Sequence, residues 1–288
     1  MEHKLIFEVM PYSKTSSESY AQKITGRIAE AIKELKNVTL LNIPEIVEEN
    51  HNGQPYYRNI DARKFGKELG EKCGKETMVN AVVAHHNSKA DFERWLGQAV
   101  DSYKIRNFIF VGGKIPSIKY PGPSVPEANK IASSKNVNFG NIFIPGRLGE
   151  AGRLFEKTQA GCKFFTSQVL FEAGHALSDI SLYAQKCKAE KVKPAKFYLS
   201  FAPISSEEDL FFIKWLGAEM SRETESRLKN AEGMGQESIS IVLGLIEKIL
   251  GSNKKKSNAE VGLNIEYVMI HNLGLAVELA NKSSKLLG

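Results

Sequence analysis

A single carboxylate lies inside an apolar run near the start of the chain. The run reads KLIFEVMPY over residues 4–12, and Glu8 stands between Phe7 and Val9. Burial disfavours the charged form of a carboxyl group, so its pKa is expected to rise. A carboxyl that keeps its proton near neutral pH can act as a general acid. A structural ion pair with Lys or Arg is the alternative, and the run alone leaves both open.

A second polar residue occupies a comparable position in another apolar run. Gln168 lies in FFTSQVLFE, residues 164–172. A neutral amide donates and accepts hydrogen bonds at once, which suits a heteroaromatic ring such as a pterin. The alternative is a core amide bonded to backbone, which is less common because Gln is seldom fully buried.

A glycine pair followed by a lysine introduces a long proline-containing segment, VGGKIPSIKYPGPSVPE, residues 111–127. Gly112 and Gly113 allow a flat ligand to approach the backbone, with Lys114 within reach of it. The phosphate-binding pattern GxxxxGK[ST] is absent. The segments APISS and HNLG also lack a glycine-rich phosphate cradle, so a sugar-phosphate substrate is disfavoured.

Neither the histidines nor the cysteines have the spacing of a metal site. His85, His86 and His271 end apolar runs, but neighbouring residues of a strand point to opposite faces, and no HxH or HExxH occurs. We therefore predict no bound metal. The chain has 3 cysteines and no CxxC pair, which indicates reduced thiols in a cytoplasmic protein. A serine-hydrolase GxSxG motif is also absent.

Eight strand-like runs alternate with segments of helical period, and these elements must position the residues above. The predicted strands cover 4–10, 38–44, 78–85, 107–113, 138–146, 162–171, 196–203 and 264–271. The predicted helices cover 17–37, 61–73, 89–103, 125–134, 149–160, 176–189, 273–286 and at least two pieces of 206–251. This alternation predicts an α/β fold, a single (β/α)8 TIM barrel over residues 1–288, with a doubly wound open sheet as the alternative. Strand alternation then places Glu8 beside Ile6 and Met10, aimed into the barrel mouth where such barrels carry their chemistry.

The composition is that of an ordinary soluble domain. Of the 288 residues, 42% are hydrophobic and 25% charged, and the net charge is +6. The densest basic run, SNKKKSNAE at 252–260, has no interleaved aromatic residues, so we predict a solvated loop and no nucleic-acid partner. The chain has neither a signal-peptide pattern nor an apolar stretch long enough to span a bilayer, which predicts no membrane association.

Several segments, in order along the chain, resemble the methylenetetrahydrofolate reductase family of flavin-dependent barrels. IFEVMPY is similar to the opening FEFxPP strand, and DFERWLGQAVDSYKIRNFIFVGGK follows the helix-then-GIRHIVALRGD pattern. The most specific match is LFEKTQAGCKFFTSQVLFE, which resembles LKxKxDAGAxFxITQxFFD. KFYLSFAPISSEEDLFFIKWLGAEM resembles the PILPGIxPIxS strand, and the last strand takes the place of FHFYTLNR.

The resemblance implies a role for each matched residue. It makes Glu8 the catalytic general acid and assigns the folate substrate to Gln168, Lys114 and Asn272. It assigns a flavin, FAD, to Gly112, Gly113, Lys114, Lys157 and Glu150, with NAD(P)H as the reductant. The chain departs from the family at several flavin or folate contacts. Lys114 replaces an aspartate, Asn272 replaces an arginine, and the family's third-strand histidine aligns near Val82, with no imidazole at that position. The family's tyrosine-and-histidine loop after the fifth strand is shortened to IPGRLGEAGR.

The function implied is an oxidoreductase of one-carbon metabolism and methionine biosynthesis. It would transfer a hydride from reduced flavin to methylenetetrahydrofolate, giving methyltetrahydrofolate. Because the flavin contacts are altered, a flavin-free relative that binds methyltetrahydrofolate or transfers its methyl group is the alternative. The expected partners are the folate itself and either a second copy of the chain or another one-carbon enzyme.

Overall fold

The computed structural model describes residues 4–115, 117–256 and 259–287. Within them the strands are β1 (Leu5–Val9), β2 (Leu40–Pro44), β3 (Val47–Glu49), β4 (Pro55–Tyr57), β5 (Glu76–Val82), β6 (Asn107–Val111), β7 (Asn138–Phe143), β8 (Phe164–Val169), β9 (Lys196–Phe201) and β10 (Val261–Tyr267). The helices are α1 (Glu18–Lys33), α2 (Ala62–Cys73), α3 (Lys89–Asp101), α4 (Val125–Ser133), α5 (Glu150–Gln159), α6 (Gly174–Ala189), α7 (Glu207–Trp215), α8 (Arg222–Asn230), α9 (Met234–Lys256) and α10 (Leu273–Leu286). Short 3-10 turns cover Val83–His85 and Ile270–Asn272.

Eight of the strands close into a parallel barrel. Their order around the barrel is β1-β10-β9-β8-β7-β6-β5-β2, and β1 is hydrogen-bonded to both β2 and β10. The chain therefore folds as a (β/α)8 TIM barrel, which confirms the predicted fold class and excludes the open sheet. The remaining strands, β3 and β4, form a separate antiparallel hairpin.

The barrel has a small apolar interior and a larger core outside its wall. The interior cluster consists of Ile6, Leu40, Met78, Ile109, Phe164 and Tyr198. Two of these side chains are large aromatics, and space for them comes from glycines on neighbouring strands. A Cβ at Gly140 would overlap the ring of Phe164, so only glycine allows β7 and β8 to pack as they do.

The helices cover the outside of the wall with amphipathic faces. Helix α1 begins at the N-cap Ser17, whose side chain accepts a hydrogen bond from the amide of Tyr20 at 3.2 Å. Its buried stripe includes Ile24, Ile28 and Ile32, and this spacing matches the helical period. The fixed strand–helix order places the strand-to-helix loops on one face of the barrel.

Two local features differ from the sequence-based expectation. The segment between the predicted strand 38–44 and the predicted helix 61–73, for which no element was predicted, contains the β3–β4 hairpin; within it the side chain of Asn50 accepts hydrogen bonds from the amides of Asn52 and Gln54. The hairpin strands have 3 residues each, too short to show an alternating pattern. The basic run predicted as a loop is helical as far as Lys256, because it continues the amphipathic helix α9, while residues 257–258 lie outside the described part.

Among the described residues, no helix is both long enough and apolar enough to cross a bilayer.

Candidate active site in the barrel mouth

Two glutamates face each other across neighbouring strands at the carboxyl-terminal half of the barrel. Glu8 on β1 is in direct register with Glu266 on β10 and with Asn42 on β2. The amide of Asn42 donates a hydrogen bond of 2.5 Å to Glu8 Oε2. The amide of Asn264 donates to Glu266 Oε1 at 3.1 Å and to Ser200 Oγ at 3.0 Å. Glu8 therefore points into the barrel, on the same side as Ile6.

The surroundings of this carboxyl pair favour the protonated form. Burial raises the pKa of Glu8 well above its ordinary value, and the charge of Glu266 raises it further. Hydrogen bonds from Asn264 and Asn42 act in the opposite direction and lower this pKa, but they do not cancel the rise. Burial also raises the pKa of Glu266 to about 7, in spite of hydrogen bonds from Ser200 and Asn264. Among the described residues neither glutamate forms an ion pair. The pair therefore retains at least one shared proton near neutral pH.

Several polar atoms around the pair have unused hydrogen-bonding capacity. In the described part of the chain, buried atoms without a hydrogen-bond partner include Asn42 Oδ1, Asn80 Oδ1, Asn264 Oδ1 and Thr166 Oγ1. Buried polar atoms are normally paired with protein or with ordered water, so such a group needs an explanation. Three of these atoms are amide oxygens, which can accept hydrogen bonds but cannot donate them. The barrel interior is therefore suited to a ligand that presents several N–H donors.

Gln168 lies at the end of β8, where the pairing with β9 changes register between Thr166 and Val169. Its side chain is partly buried and lies close to Gly217, two residues beyond the end of α7. A Cβ built at Gly217 would be 3.5 Å from Gln168 Nε2. No protein group within the described ranges forms a hydrogen bond with this amide. Gln168 is thus available at the mouth, and its pterin contact stays a prediction.

The loop that carries Lys114 is held in place by a buried carboxylate from the β3–β4 hairpin. Glu49 accepts hydrogen bonds from His85 Nε2 at 2.9 Å, from the amide of Lys114 at 2.9 Å and from the Tyr120 hydroxyl at 2.5 Å. Burial alone would raise the pKa of Glu49, but these three hydrogen bonds hold it below its ordinary value. We call Glu49, His85 and Tyr120 the loop clamp. It keeps the hairpin and the β6–α4 loop together above the barrel.

The side chain of Lys114 is directed toward helix α7. Its ammonium lies 5.6 Å from the ring centroid of Trp215, which is 61% exposed, and Lys114 is itself exposed. Gly112 is exposed beside it, whereas Gly113 is covered by Tyr120, whose ring would overlap a Cβ at that position. The glycine at 113 therefore serves the packing of the loop clamp.

The other two residues assigned to the flavin lie away from the barrel interior. Lys157 on α5 donates to the backbone carbonyl of Ile142 at 2.7 Å, and burial lowers its pKa. The buried Glu150 accepts from the amide of Ile144 at 3.0 Å and from Arg147 Nε at 2.6 Å. Both polar groups are used within the protein, so as arranged they do not fit a flavin cradle. A flavin contact through them stays a prediction that this geometry does not favour.

Asn272 is buried among hydrogen bonds that join the loops after β9 and β10. Its amide nitrogen donates to Asp209 Oδ2 at 2.8 Å, and its oxygen accepts from Ser205 Oγ at 2.6 Å. Asp209 also bonds His271 Nε2 at 3.1 Å. These bonds occupy both ends of the Asn272 amide. A direct folate contact from Asn272 would require this arrangement to open.

No protein-family model and no curated protein matches this chain. Among solved structures it is similar to an uncharacterized protein from Clostridium thermocellum that binds two copies of 5-methyl-5,6,7,8-tetrahydrofolic acid. The identity is 22%, the match covers 98% of this chain and 95% of that one, and the TM-score is 0.81. A thermostable aldo-keto reductase is more distant, with 12% identity, 98% and 93% coverage and a TM-score of 0.54. At these identities the similarity shows a shared barrel fold.

Sequence reasoning missed two acidic residues of this region. Glu266 stands in VGLNIEYVMI, residues 261–270, a lone carboxylate in an apolar strand as Glu8 is, and the same argument would have found it. Glu49 gave no such signal, because it lies in a polar segment, VEENHNG, that resembles an ordinary surface loop. Only the tertiary contacts with His85 and Tyr120 distinguish it.

Proposed function

We propose that the barrel mouth binds a reduced folate and supplies a proton to one of its ring nitrogens. The observation that carries this proposal is the pairing of Glu8 with Glu266 in an interior whose amide oxygens lack donors. A reduced pterin presents its amino group and ring N–H groups along one edge. Carboxylates and amide oxygens are the acceptors that such an edge requires.

The remainder of the ligand would extend out of the mouth, across residues at the rim. Gln168 offers an unpaired amide at the end of β8. Beyond it, the exposed ring of Trp215 offers a stacking surface, and the ammonium of Lys114 lies above that ring. An aminobenzoyl ring would stack on Trp215, and a glutamate carboxylate would pair with the ammonium of Lys114. The methyltetrahydrofolate bound by the C. thermocellum protein has these same three parts and supports the assignment.

The proton held by the carboxyl pair determines which reactions are suited to the site. Transfer of a methyl group from methyltetrahydrofolate breaks the bond from N5 to the methyl carbon, while an acceptor nucleophile forms a new bond to that carbon. N5 then needs a proton, which Glu8 would give up. Glu266 would stabilise the proton beforehand by sharing it. This version requires an acceptor molecule or a partner protein that presents one.

Reduction of methylenetetrahydrofolate is the second candidate, because it uses the same proton. The bond from N10 to the bridging carbon breaks, N10 receives the proton from Glu8, and a hydride completes the methyl group. A bound flavin would supply that hydride. Since Lys157 and Glu150 are occupied within the protein, we place the flavin-free version first.

Two measurements on the purified chain test these proposals. Calorimetric titration with 5-methyltetrahydrofolate should show binding by the wild type. Glu8→Gln should weaken it about tenfold, because the amide replaces one acceptor oxygen with an NH2 group and lacks the charge that strengthens a hydrogen bond from a ligand N–H. Glu30→Gln, an exposed change on the outer helix α1, is the matched control and should bind as the wild type does. Failure of the wild type to bind, or equal affinity in Glu8→Gln, would contradict the proposal.

The visible absorbance spectrum separates the two chemistries. A flavin band that is bleached by NADH or NADPH and restored by methylenetetrahydrofolate would establish the reductase. A colourless protein that binds methyltetrahydrofolate, and that takes up no flavin on incubation, would eliminate it in favour of binding or methyl transfer.

A further inference from the structure

A cavity of about 280 Å³ lies outside the barrel wall. Its lining includes Glu45 after β2, Tyr57 on β4, Ala62 on α2, and His86 and Trp95 near α3. Residues of β2 alternate between the two sides of the wall: Leu40 belongs to the interior cluster, whereas Ile43 packs with the helices. Glu45 continues on the side of Ile43. The wall therefore separates this cavity from Glu8 and Glu266.

The cavity is lined by the cation Lys14 as well as by carboxylates. Asp61 is matched by Arg63, with hydrogen bonds of 2.7 and 3.1 Å from the guanidinium. Glu45 accepts a hydrogen bond of 2.8 Å from the amide of Val82 through Oε2, and in the described ranges it forms no ion pair. Burial raises the pKa of Glu45 to about 7, with the amide of Val82 opposing the shift. This carboxyl group thus has acceptor capacity that the protein does not use.

Two aromatic side chains in the lining are fixed by their neighbours. The guanidinium of Arg63 lies 4.8 Å from the ring of Trp95, and His86 meets the same ring at 5.5 Å between centroids. Tyr57 packs edge-to-face with His85 of the loop clamp, at 6.4 Å. Because these contacts order the rings before any ligand arrives, binding would cost little side-chain entropy.

We propose that this cavity binds a small planar amino-heterocycle, whose N–H edge is accepted by Glu45 and whose ring packs against Tyr57 and Trp95. The volume lies near the lower end of the range for small-molecule sites, roughly 300 Å³ and upward, which suits one or two fused rings. Because Glu45 accepts one hydrogen bond from the protein, its remaining acceptor sites favour a ligand with N–H donors. The site shares no lining residue with the barrel mouth, so this inference is independent of the proposed function.

The chain contains 2 tryptophans, which makes the cavity accessible to a local probe. In the Trp215→Phe variant, Trp95 is the remaining tryptophan and reports from the lining. Titration with 2,4-diaminopyrimidine should change its fluorescence in a saturable way. Glu45→Gln in that background should weaken binding at least tenfold, which corresponds to about 1.4 kcal/mol. Glu48→Gln, three residues along and exposed, should leave it unchanged.

Two further variants keep the outcome interpretable. Tyr57→Ala removes an aromatic wall and should also weaken binding of the probe, which covers the case in which Glu45→Gln fails to fold. Glu8→Gln alters the barrel mouth and should not affect the Trp95 signal. An unsaturable signal, or equal affinity in Glu45→Gln and Glu48→Gln, would overturn the second site whether or not the mouth binds folate. A signal lost in Glu8→Gln would assign the probe to the mouth and would also overturn it.

Discussion

At the scale of single residues, the central feature is a pair of carboxyl groups that no cation neutralises in the described structure. Glu8 and Glu266 stand in register on adjacent strands, and amides of Asn42 and Asn264 bond them from either side. Two carboxylates this close cannot both ionise at low cost. The proton that they hold is what makes the site suitable for acid catalysis, and it also has a consequence for stability.

We expect the pair to make stability fall as the pH rises. The pKa of Glu266 lies at about 7 in the folded protein against an ordinary value of 4.5, so the folded state binds more protons than the unfolded chain between these values. The free energy of unfolding therefore decreases from about pH 4.5 to about pH 7. Glu266→Gln, which stays neutral, should remove roughly 1–3 kcal/mol of that decrease.

Urea unfolding at acidic and at mildly alkaline pH measures this difference. Glu30→Gln on the outer helix should keep the pH dependence of the wild type. If Glu266→Gln lost as much stability as the wild type over the same interval, the carboxyl pair would not hold a proton in the folded state.

At the scale of elements, the loop clamp connects the β3–β4 hairpin to the other strand-to-helix loops on the same face of the barrel. The side chain of Glu49 is 4% exposed and that of His85 1% exposed, so the hydrogen bond between them is shielded from water. The amide of Lys114 is bonded to the same carboxylate. The clamp thus fixes where the Lys114 loop lies above the mouth.

Glu49→Gln should loosen this part of the face without unfolding the barrel. The variant loses the charge that strengthens the bonds from Tyr120 and His85, at a cost of about 1–3 kcal/mol. Hydrogen–deuterium exchange should accelerate in β3, in β4 and at Lys114, and stay unchanged in β8 and β9. Glu48→Gln provides the control, and equal exchange in the two variants would show that the clamp is not a stabilising contact.

A pair of glycine substitutions tests the packing of the same loop. Gly113→Ala would place a methyl group in the ring of Tyr120, and overpacking of this kind costs about 1–3 kcal/mol. At Gly112 the nearest atom to an added Cβ is in Val125 at 3.6 Å, an ordinary contact, so Gly112→Ala should be nearly neutral. Thermal unfolding of both variants decides the matter. Equal melting temperatures would mean that Tyr120 does not occupy this position.

At the scale of the whole molecule, closure of the barrel depends on matched sizes inside the wall. The bulky Phe164 and Tyr198 fill the interior next to Gly140 and Gly262, which present no side chain. All eight strands of the closed barrel are paired on both sides. A side chain too large for the interior therefore cannot be accommodated by moving an edge strand outward.

Gly140→Ala should therefore destabilise the entire domain, by about 1–3 kcal/mol, since the new methyl group would overlap Phe164. Gly152 lies in helix α5 with nothing within 4 Å of an added Cβ. Gly152→Ala should instead stabilise the protein by about 0.5–1 kcal/mol, because alanine loses less backbone entropy in a helix. Chemical denaturation of both variants gives the comparison, and a stable Gly140→Ala protein would contradict the described interior packing.

The sequence by itself determined the architecture and the direction of its key residue. Alternating strand and helix periods are local properties, so eight repeats of them predicted the barrel, and β1 with Glu8 facing inward followed from its alternation. The boundaries of most helices agree within a few residues for the same reason. That residues 1–288 form one domain stays a prediction, as does the role of each matched site residue.

Only the tertiary structure decided which residues act together. The register that brings Glu266 beside Glu8 joins positions 258 residues apart (266 minus 8), and no local pattern specifies such a pairing. Glu49, His85 and Tyr120 likewise come from three segments far apart in the chain: the β3–β4 hairpin, the turn after β5 and the β6–α4 loop. Lys157 and Glu150 matched a family motif, yet their polar groups bond to the protein's own backbone and to Arg147. A motif fixes residue types along the chain, whereas the partners available to a side chain depend on the folded surroundings.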